Sequence, residues 1–285
     1  MSRPVGYDLS VIIVNFNTGD FLYRCLTSLY AGSQVDTQII VVDNASSDHS
    51  EHLLREQFPA VTCIANKENV GFARANNQAI PYARGRYIHF LNPDTQVKSG
   101  ALEAMVRFMD DNPGMALAGT RLLNPDGTIQ ASVETHYPGQ RYARDVLQGI
   151  DSGIAWIMGA SMVARAEVIR AVNGFDERYF LYGEDLDLCL RIRKAGWRLG
   201  FIPHAEIIHW EGQSERTAIP GKVWESKLQA ELTFYRIHYS RKAFQAIRRR
   251  NIAQAVWRIL TLKLLGGLGT DRDVGRRKLE KYRAA

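Results

Sequence analysis

Leu9-Ser10-Val11-Ile12-Ile13-Val14-Asn15-Phe16-Asn17-Thr18-Gly19-Asp20 decides the fold. Leu9 to Asn15 is a short apolar run that reads as a buried strand. Thr18-Gly19-Asp20 then opens a segment with Phe21, Leu22, Cys25, Leu26 and Leu29 at helical spacing. The same strand, turn and helix recur downstream. Gln38 to Val42 ends at Asp43-Asn44, Ser46-Ser47-Asp48 caps a helix carrying Leu53, Leu54 and Phe58, and Val61 to Ala65 is a third strand. Gly71 precedes a helix from Phe72 to Tyr82. Gly85 to Leu91 is a fourth strand ending at Asn92-Pro93-Asp94, and Ser99 caps a helix with Leu102, Met105, Val106 and Met109. Alternation of this kind predicts an α/β fold, a Rossmann-like and mostly parallel sheet flanked by helices.

Beyond Met115 to Gly119 the alternation loosens, and Asn124-Pro125-Asp126-Gly127 reads as a tight turn between short strands. Thr135 to Gly153 is a long polar stretch, of the length that marks a functional or mobile loop, and a lid that orders on donor binding is one reading of it. Trp156 to Val163 reads as a strand, Glu167 to Val172 and Glu184 to Ala195 as helices, and Trp197 to Ile202 and Ala205 to His209 as short strands. Gly212 to Gly221 is the best linker, and the chain beyond it is helical to about Leu265.

The chain has 285 residues, of which 46% are hydrophobic and 23% charged, so wholesale disorder, collagen-like repeats and a coiled coil are excluded. A bilayer span needs about 20 consecutive apolar residues, and no run approaches that. The start, Met1-Ser2-Arg3-Pro4, does not resemble a secretory signal, and Cys25, Cys63 and Cys189 form no Cys-x-x-Cys pair, so the expected compartment is the cytosol. The net charge of +6 conceals an asymmetry: Arg236 to Ala285 holds 14 Lys and Arg against 3 Asp and Glu, which leaves the rest of the chain mildly acidic. The tail therefore suits a phosphate-rich surface, either anionic lipid at the inner face of a membrane or nucleic acid. Phe244, Ile247, Ala255, Ile259, Leu262 and Leu265 fall within one helical arc there, with arginines around it; a second subunit or the body of the protein is the alternative partner for that arc.

Ligands of open parallel sheets bind at the carboxyl ends of the strands. The polar residues expected there are Asn15, Asn17, Asp43, Asn44, Asn92 and Asp94. Each alone suits a helix cap or a turn equally well. In order along the chain stand Val11 to Asn17, Val41 to Asp48, Asn69-Val70-Gly71-Phe72-Ala73-Arg74-Ala75-Asn76-Asn77, Leu91-Asn92-Pro93-Asp94, Gly183-Glu184-Asp185-Leu186-Asp187 and Ile208-His209-Trp210. This ordered set resembles the family 2 inverting glycosyltransferases of GT-A fold, in particular their rhamnosyltransferase-like branch, over roughly Leu9 to Ser214.

That resemblance implies a role for each piece. Asn15, Asn17 and Asp43 would line the nucleoside pocket of a nucleotide-sugar donor, with Asp43 accepting from the base. Asn69, Gly71 and Arg74 would approach the diphosphate or the sugar, through open N–H groups at a helix start and a cation. Asn92-Pro93-Asp94 stands where the family has an Asp-x-Asp motif, so Asp94, joined by His209, would hold a divalent metal, Mg²⁺ or Mn²⁺, with Asn92 replacing an acid. Asp185 would be the general base, Glu184 would position the acceptor, and Trp156, Gly159 and Trp210 would form its floor.

The resemblance places the glycosyltransferase domain at 1–215, with a nucleotide-sugar half to about 120 and an acceptor half after it, and a helical basic C-terminal extension at 216–285. The implied reaction is metal-dependent, inverting transfer of rhamnose from dTDP-rhamnose to a hydroxyl of a cell-surface glycan or a polyprenyl-linked acceptor, with oligomerisation open. UDP-galactofuranose or another UDP-sugar is the alternative donor. A sugar-phosphate nucleotidyltransferase would need a Gly-rich basic loop after the first strand, which Asn15 to Asp20 lacks, and G-x-G-x-x-G of nicotinamide or flavin enzymes is missing from Asn69 to Asn77. Carboxylates at the strand ends would repel a nucleic acid, so none is expected as a partner.

Overall fold

Strand β1 (Leu9–Asn15) is buried along its whole length: Leu9, Val11 and Ile13 enter one core cluster, Ile12 and Val14 another. Period-two alternation sends neighbouring side chains to opposite faces, so an unbroken apolar run requires cover on both. In the computed structural model, which describes residues 6–143, 146–147, 150, 153–210 and 220–264, helices supply it. Chain order continues α1 (Gly19–Tyr30), β2 (Thr37–Asp43), α2 (Ser50–Gln57), β3 (Thr62–Ala65), α3 (Phe72–Ala79), β4 (Tyr87–Leu91), β5 (Thr95–Val97) and α4 (Ala101–Asp111). There follow β6 (Met115–Leu123), β7 (Val133–Glu134), β8 (Trp156–Ile157), β9 (Ser161–Arg165), α5 (Ala166–Ala171), α6 (Glu184–Lys194) and β10 (Arg198–His209), then α7 (Pro220–His238) and α8 (Arg241–Leu264). Residues of α1, α2 and α4 join the first cluster, and those of α3, α5 and α6 join the second.

Eight strands form one sheet in the order β3-β2-β1-β4-β9-β6-β10-β5. Its first half, β3 to β4, is parallel throughout, as the alternation of strand and helix predicts. In the second half β9 runs antiparallel to both β4 and β6, β10 is parallel to β6, and the edge strand β5 is antiparallel to β10. The sheet is α/β with its parallel half intact and its later half mixed.

Three local expectations are corrected. The single strand read over Trp156 to Val163 is broken: β8 pairs with β7 in a separate two-stranded sheet, while β9 enters the main one. Conversely, the two short strands read over Trp197 to His209 are one strand, β10, which pairs with β6 on both sides of a register shift between Ile202 and Glu206 and with β5 along Ile207 to His209. Ser99 does not cap α4; Gly100 occupies that position in the left-handed region at φ 79°, with no side-chain capping bond.

The described residues form two compact units, one of 6–137, 150 and 153–210, the other of 138–143, 146–147 and 220–264. In the second unit the left-handed Gly139 lies against Tyr235 and Ile247, and the Tyr239 hydroxyl donates to the Pro138 carbonyl. Part of the long polar stretch is thereby tied to the C-terminal helices. Other positions of the expected lid, most of the linker at Gly212 to Gly221 and the tail from Leu265 lie outside the described residues.

Asp48 links two helix starts in the first unit. One carboxylate oxygen accepts from Gly19 N (2.9 Å) at the head of α1, the other from Ser50 N (3.0 Å) at the head of α2. Helix N-termini carry unpaired donors and partial positive charge, so one carboxylate stabilises both. Asp48→Ala is expected to lower unfolding stability by about 1–2 kcal/mol in urea titration, the loss typical of a helix cap.

Candidate active site

The chemistry collects where β1, β2 and β4 leave the core. Asn15 and Asp43 are register partners at the ends of β1 and β2, and Asn15 Nδ2 donates to Asp43 Oδ1 at 2.9 Å. Asp43 Oδ2 accepts from Ser46 N, Thr18 Oγ1 donates to Asn15 Oδ1, and the left-handed Asn17 accepts from Ser47 N through its Oδ1. Asp43 is almost fully buried and holds one protein donor on each oxygen, which leaves acceptor lone pairs for a ligand.

Asn44, also buried, organises the next loop. Its Oδ1 accepts from Val70 N and Asn66 Nδ2, and its Nδ2 donates to Asn69 Oδ1. Asn69 Oδ1 also accepts from Gly71 N, and Phe72 N donates to the Phe180 carbonyl at 2.7 Å. Leading into this helix, the N–H groups of residues 70, 71 and 72 bond within the protein, to two asparagine side chains and one carbonyl. Gly71, at φ 87°, is required here, since a Cβ would come within 2.6 Å of the Phe180 oxygen. Arg74 makes only a long, exposed contact to Glu177 (3.8 Å), so its cation remains available.

Asp94 and His209 are both buried and meet at 3.5 Å, Oδ1 to Nε2. Gln130 grips the histidine twice: its Oε1 faces Nδ1 at 3.0 Å and its Nε2 donates to the His209 carbonyl. An acceptor at Nδ1 places the ring proton there and turns the Nε2 lone pair toward Asp94. Ligands about 2.1 Å from one ion in adjacent positions stand about 3 Å apart, so this oxygen and nitrogen fit a shared divalent cation. Among the described residues no group of three or more His, Cys, Asp and Glu side chains could hold a metal, and Asp94 and His209 supply two ligands. Trp210 N donates to the Asp94 carbonyl, and the side-chain amide of Asn92 has no partner among the described residues.

The acids at the head of α6 follow a turn in which Tyr182 (φ 70°) and Gly183 (φ 82°) are both left-handed. Asp185 accepts from Gly159 N through Oδ2 (2.9 Å) and from its neighbour Leu186 N through Oδ1 (2.8 Å). Glu184 is buried, and its Oε2 has no partner among the described residues. Burial pushes the Glu184 carboxyl up to about 8, with the charges of Asp185 and Asp187 adding to it. Burial also raises Asp185, but the two backbone amides oppose the rise. Of the two adjacent acids Glu184 therefore holds a proton more firmly, and the backbone amides favour the charge on Asp185. Asp187 serves elsewhere, pairing with Arg191 at 2.6 Å, and that guanidinium caps the carbonyls of Val172 and Gly174.

Two backbone hydrogen bonds stitch these clusters together. Phe72 N to Phe180 O joins the 69–71 loop to the turn before the acids, and Asn92 N to Ala160 O joins the end of β4 to the residue after Gly159. The break between β8 and β9 is what frees Gly159 N to face Asp185.

A family profile for glycosyl transferase family 2 matches residues 10–169, more than half of the chain and every strand end described above except that of β10. The chain belongs to this family. It is a glycosyltransferase of GT-A fold. A second profile, described as the N-terminal domain of galactosyltransferase, matches 147–212. Among relatives of this family 2 enzyme, the N-acetylglucosaminyl-diphospho-decaprenol L-rhamnosyltransferase of Mycobacterium tuberculosis is 26% identical over 237 residues, 72% of this chain and 77% of that protein. The rhamnosyltransferase WbbL of Escherichia coli is 28% identical over 228 residues, 73% and 85% of the two chains. A mannosyltransferase from Pyrobaculum calidifontis, solved in complex with GDP-Man and Mn²⁺, superposes with a TM-score of 0.54 at 16% identity, over 97% of this chain and 85% of that one.

Among the residues expected from sequence, the structure brings together Asn15, Asn17 and Asp43; Asn69 and Gly71; Asp94 and His209; and Glu184, Asp185 and Gly159. Trp156 pairs across β7 with Glu134 and packs on the second core cluster. The Trp210 ring meets Phe21 of α1 at 6.0 Å and lines a cleft of about 720 Å³ with Arg24, Val97 and Lys98. Asn44 was expected at the strand end without a role, and Ser46, Gln130 and the Phe180 carbonyl were missed as site residues. Nothing local to Gln130 announces it, since its partner lies 79 residues away.

Glu184 gives a pH test. A carboxyl raised by folding stabilises the fold below its ordinary value of 4.5 relative to higher pH, and stability is lost as pH rises through the folded value of about 8. Glu184→Gln removes that loss, so its Tm is expected to match the parent near pH 5 and to exceed it by roughly 3 °C or more near pH 9 in thermal scans.

Proposed function

We propose that this family 2 glycosyltransferase transfers a sugar, L-rhamnose from dTDP-rhamnose, with inversion onto a hydroxyl of a lipid-linked or cell-surface glycan. The observation that carries the reading is the geometry of the acid pair: Asp185, beside the buried Glu184 at the head of α6, is held by two backbone amides, one of them Gly159 N, whose loop is bonded to the strand end that bears Asn92 and Asp94. The rhamnosyltransferase relatives, one of them named for a diphospho-decaprenol substrate, support the donor sugar and the acceptor class.

On this reading Asp43, steadied by Asn15, accepts from the donor base, and Asn17 closes the same pocket. The Asn92 amide and Arg74 address the diphosphate and the sugar, while Asn44 and Asn69 hold the loop that faces them. Asp94 and His209 would hold a divalent cation, Mg²⁺ or Mn²⁺, whose charge would stabilise the departing diphosphate when bound. Gln130 fixes the tautomer that makes His209 a ligand.

Asp185 takes the proton of the acceptor hydroxyl as that oxygen attacks the anomeric carbon opposite the diphosphate. The two amides keep it ionised against the burial that would protonate it. Glu184, in its neutral form, donates to the acceptor and so orients the hydroxyl. Trp156, only partly covered by the core, borders the acceptor, as Trp210 does from the α1 side.

Calorimetry with dTDP-rhamnose, UDP-galactose, UDP-galactofuranose and GDP-mannose, with Mg²⁺ or Mn²⁺ and then with chelator, tests the donor. Metal-dependent binding of dTDP-rhamnose alone is expected; preference for UDP-galactofuranose would reassign the sugar. Asp185→Asn is expected to bind donor normally and lose roughly 100- to 10,000-fold in turnover, the usual span for a general base. Full activity in that variant would remove Asp185 from the role. Asp94→Ala should abolish the metal-dependent part of donor binding, and Gln130→Leu should weaken metal affinity by about 10- to 100-fold.

A further inference from the structure

Helix α8 contains no acidic residue in its 24 positions and seven basic ones: Arg241, Lys242, Arg248, Arg249, Arg250, Arg258 and Lys263. The apolar arc that the sequence offers to a lipid surface is turned inward. Ala243, Ile247 and Ala255 are buried within the second unit, and Phe244 and Ile259 are partly covered. Ile247 packs beside Gly139, and Phe244 lies against Tyr235 at 6.3 Å between ring centres.

Another stripe is left facing outward. At about 100° per residue, Lys242, Ala246, Arg249, Arg250, Ala253, Trp257 and Leu260 fall within roughly 100° of arc. Trp257 is 70% exposed and Leu260 51%, the most exposed large apolar side chains among the described residues of the second unit. Lys242, Arg249 and Arg250 have no partner among the described residues. Cations thus occupy one end of the stripe and a bare indole with a leucine the other.

That composition matches a bilayer interface in two respects. An indole is stable at headgroup depth, where its ring is buried and its N–H stays wet, while lysine and arginine reach outward along apolar stems to phosphate. A surface of diffuse negative charge complements a helix with seven cations and no acid. Ala246, Ala253 and Leu260 offer nothing to read a base edge or to pair with a polar protein surface.

We propose that the outward stripe of α8 docks the protein on an anionic bilayer, with Trp257 and Leu260 entering the headgroup region and Lys242, Arg249 and Arg250 meeting lipid phosphate. The docking is independent of which sugar is transferred, and its failure would leave the catalytic reading untouched. The arc first expected to carry it holds the second unit together instead.

The test is cosedimentation of the full chain with vesicles of phosphatidylcholine alone or mixed with phosphatidylglycerol, at near-physiological salt. Binding to the anionic vesicles only is expected. Reversing Lys242, Arg249 and Arg250 to Glu should weaken it by roughly 100-fold, at about tenfold or less for each cation. The matched reversal of Arg55, Arg84 and Arg107, on the first unit, should leave most of it. Trp257→Phe should keep binding but lose the quenching of tryptophan fluorescence by bromine-labelled lipid, a readout that misfolding would not imitate. Equal binding by the α8 triple variant, equal loss in the first-unit control, or quenching unchanged in Trp257→Phe would overturn the proposal. So would tight binding of a random oligonucleotide by a chain that ignores the vesicles.

Discussion

A strand covered on both faces can carry unpaired polar side chains only where it leaves the core, because within it each would need a buried partner. β1, β2 and β4 obey that constraint and concentrate their polar chemistry at one end: Asn15, Asp43, Asn92 and, just beyond, Asp94. The interior exceptions confirm its force. Ser10 is bonded to Gln38 and Gly85, and His89 faces Ser161 with burial pushing it down to about 3, so it stays uncharged in the core. The acids at the head of α6 are tied to that end through the Gly159-Ala160 loop, which lies between β8 and β9.

The site is organised more by neutral amides than by countercharges. Asn15, Asn44, Asn69 and Gln130 each hold a neighbour that matters more than themselves, and Asp185 is held by backbone N–H groups. Fixed dipoles of this sort keep a carboxylate ionised without placing a cation beside it, which would lower its basicity. Two arginines near the site are occupied in bracing, Arg191 on Asp187 and Arg178 on Asp176, whereas Arg74 is held only by its long contact to Glu177 among the described residues.

The parallel half of the fold was legible because its signals are local: apolar runs, helical spacing, and turn residues between them. The mixed half was harder, since the insertion of β9 between β4 and β6 and the bend within β10 depend on pairings across tens of residues. The same distinction runs through the site. Asn15, Asp43, Asp94 and Asp185 end or begin regular elements and could be read in order. Gln130 and the Phe180 carbonyl act through contacts that no spacing encodes, and the contact of the Trp210 ring with α1 is of the same kind. The tail was read as helical and basic, as α8 is, but the face that a sequence prefers for lipid is the face that a neighbouring helix also prefers.

The single bond from Phe72 N to Phe180 O makes the turn before the acids part of the same rigid piece as the 69–71 loop. Any change in sequence that reshapes that loop for a different sugar also shifts the frame on which Glu184 and Asp185 stand. Selectivity and rate are consequently not separate traits in this architecture. A lineage drifting toward a new donor must adjust both ends of that bond together, which favours inheritance of the two segments as a unit.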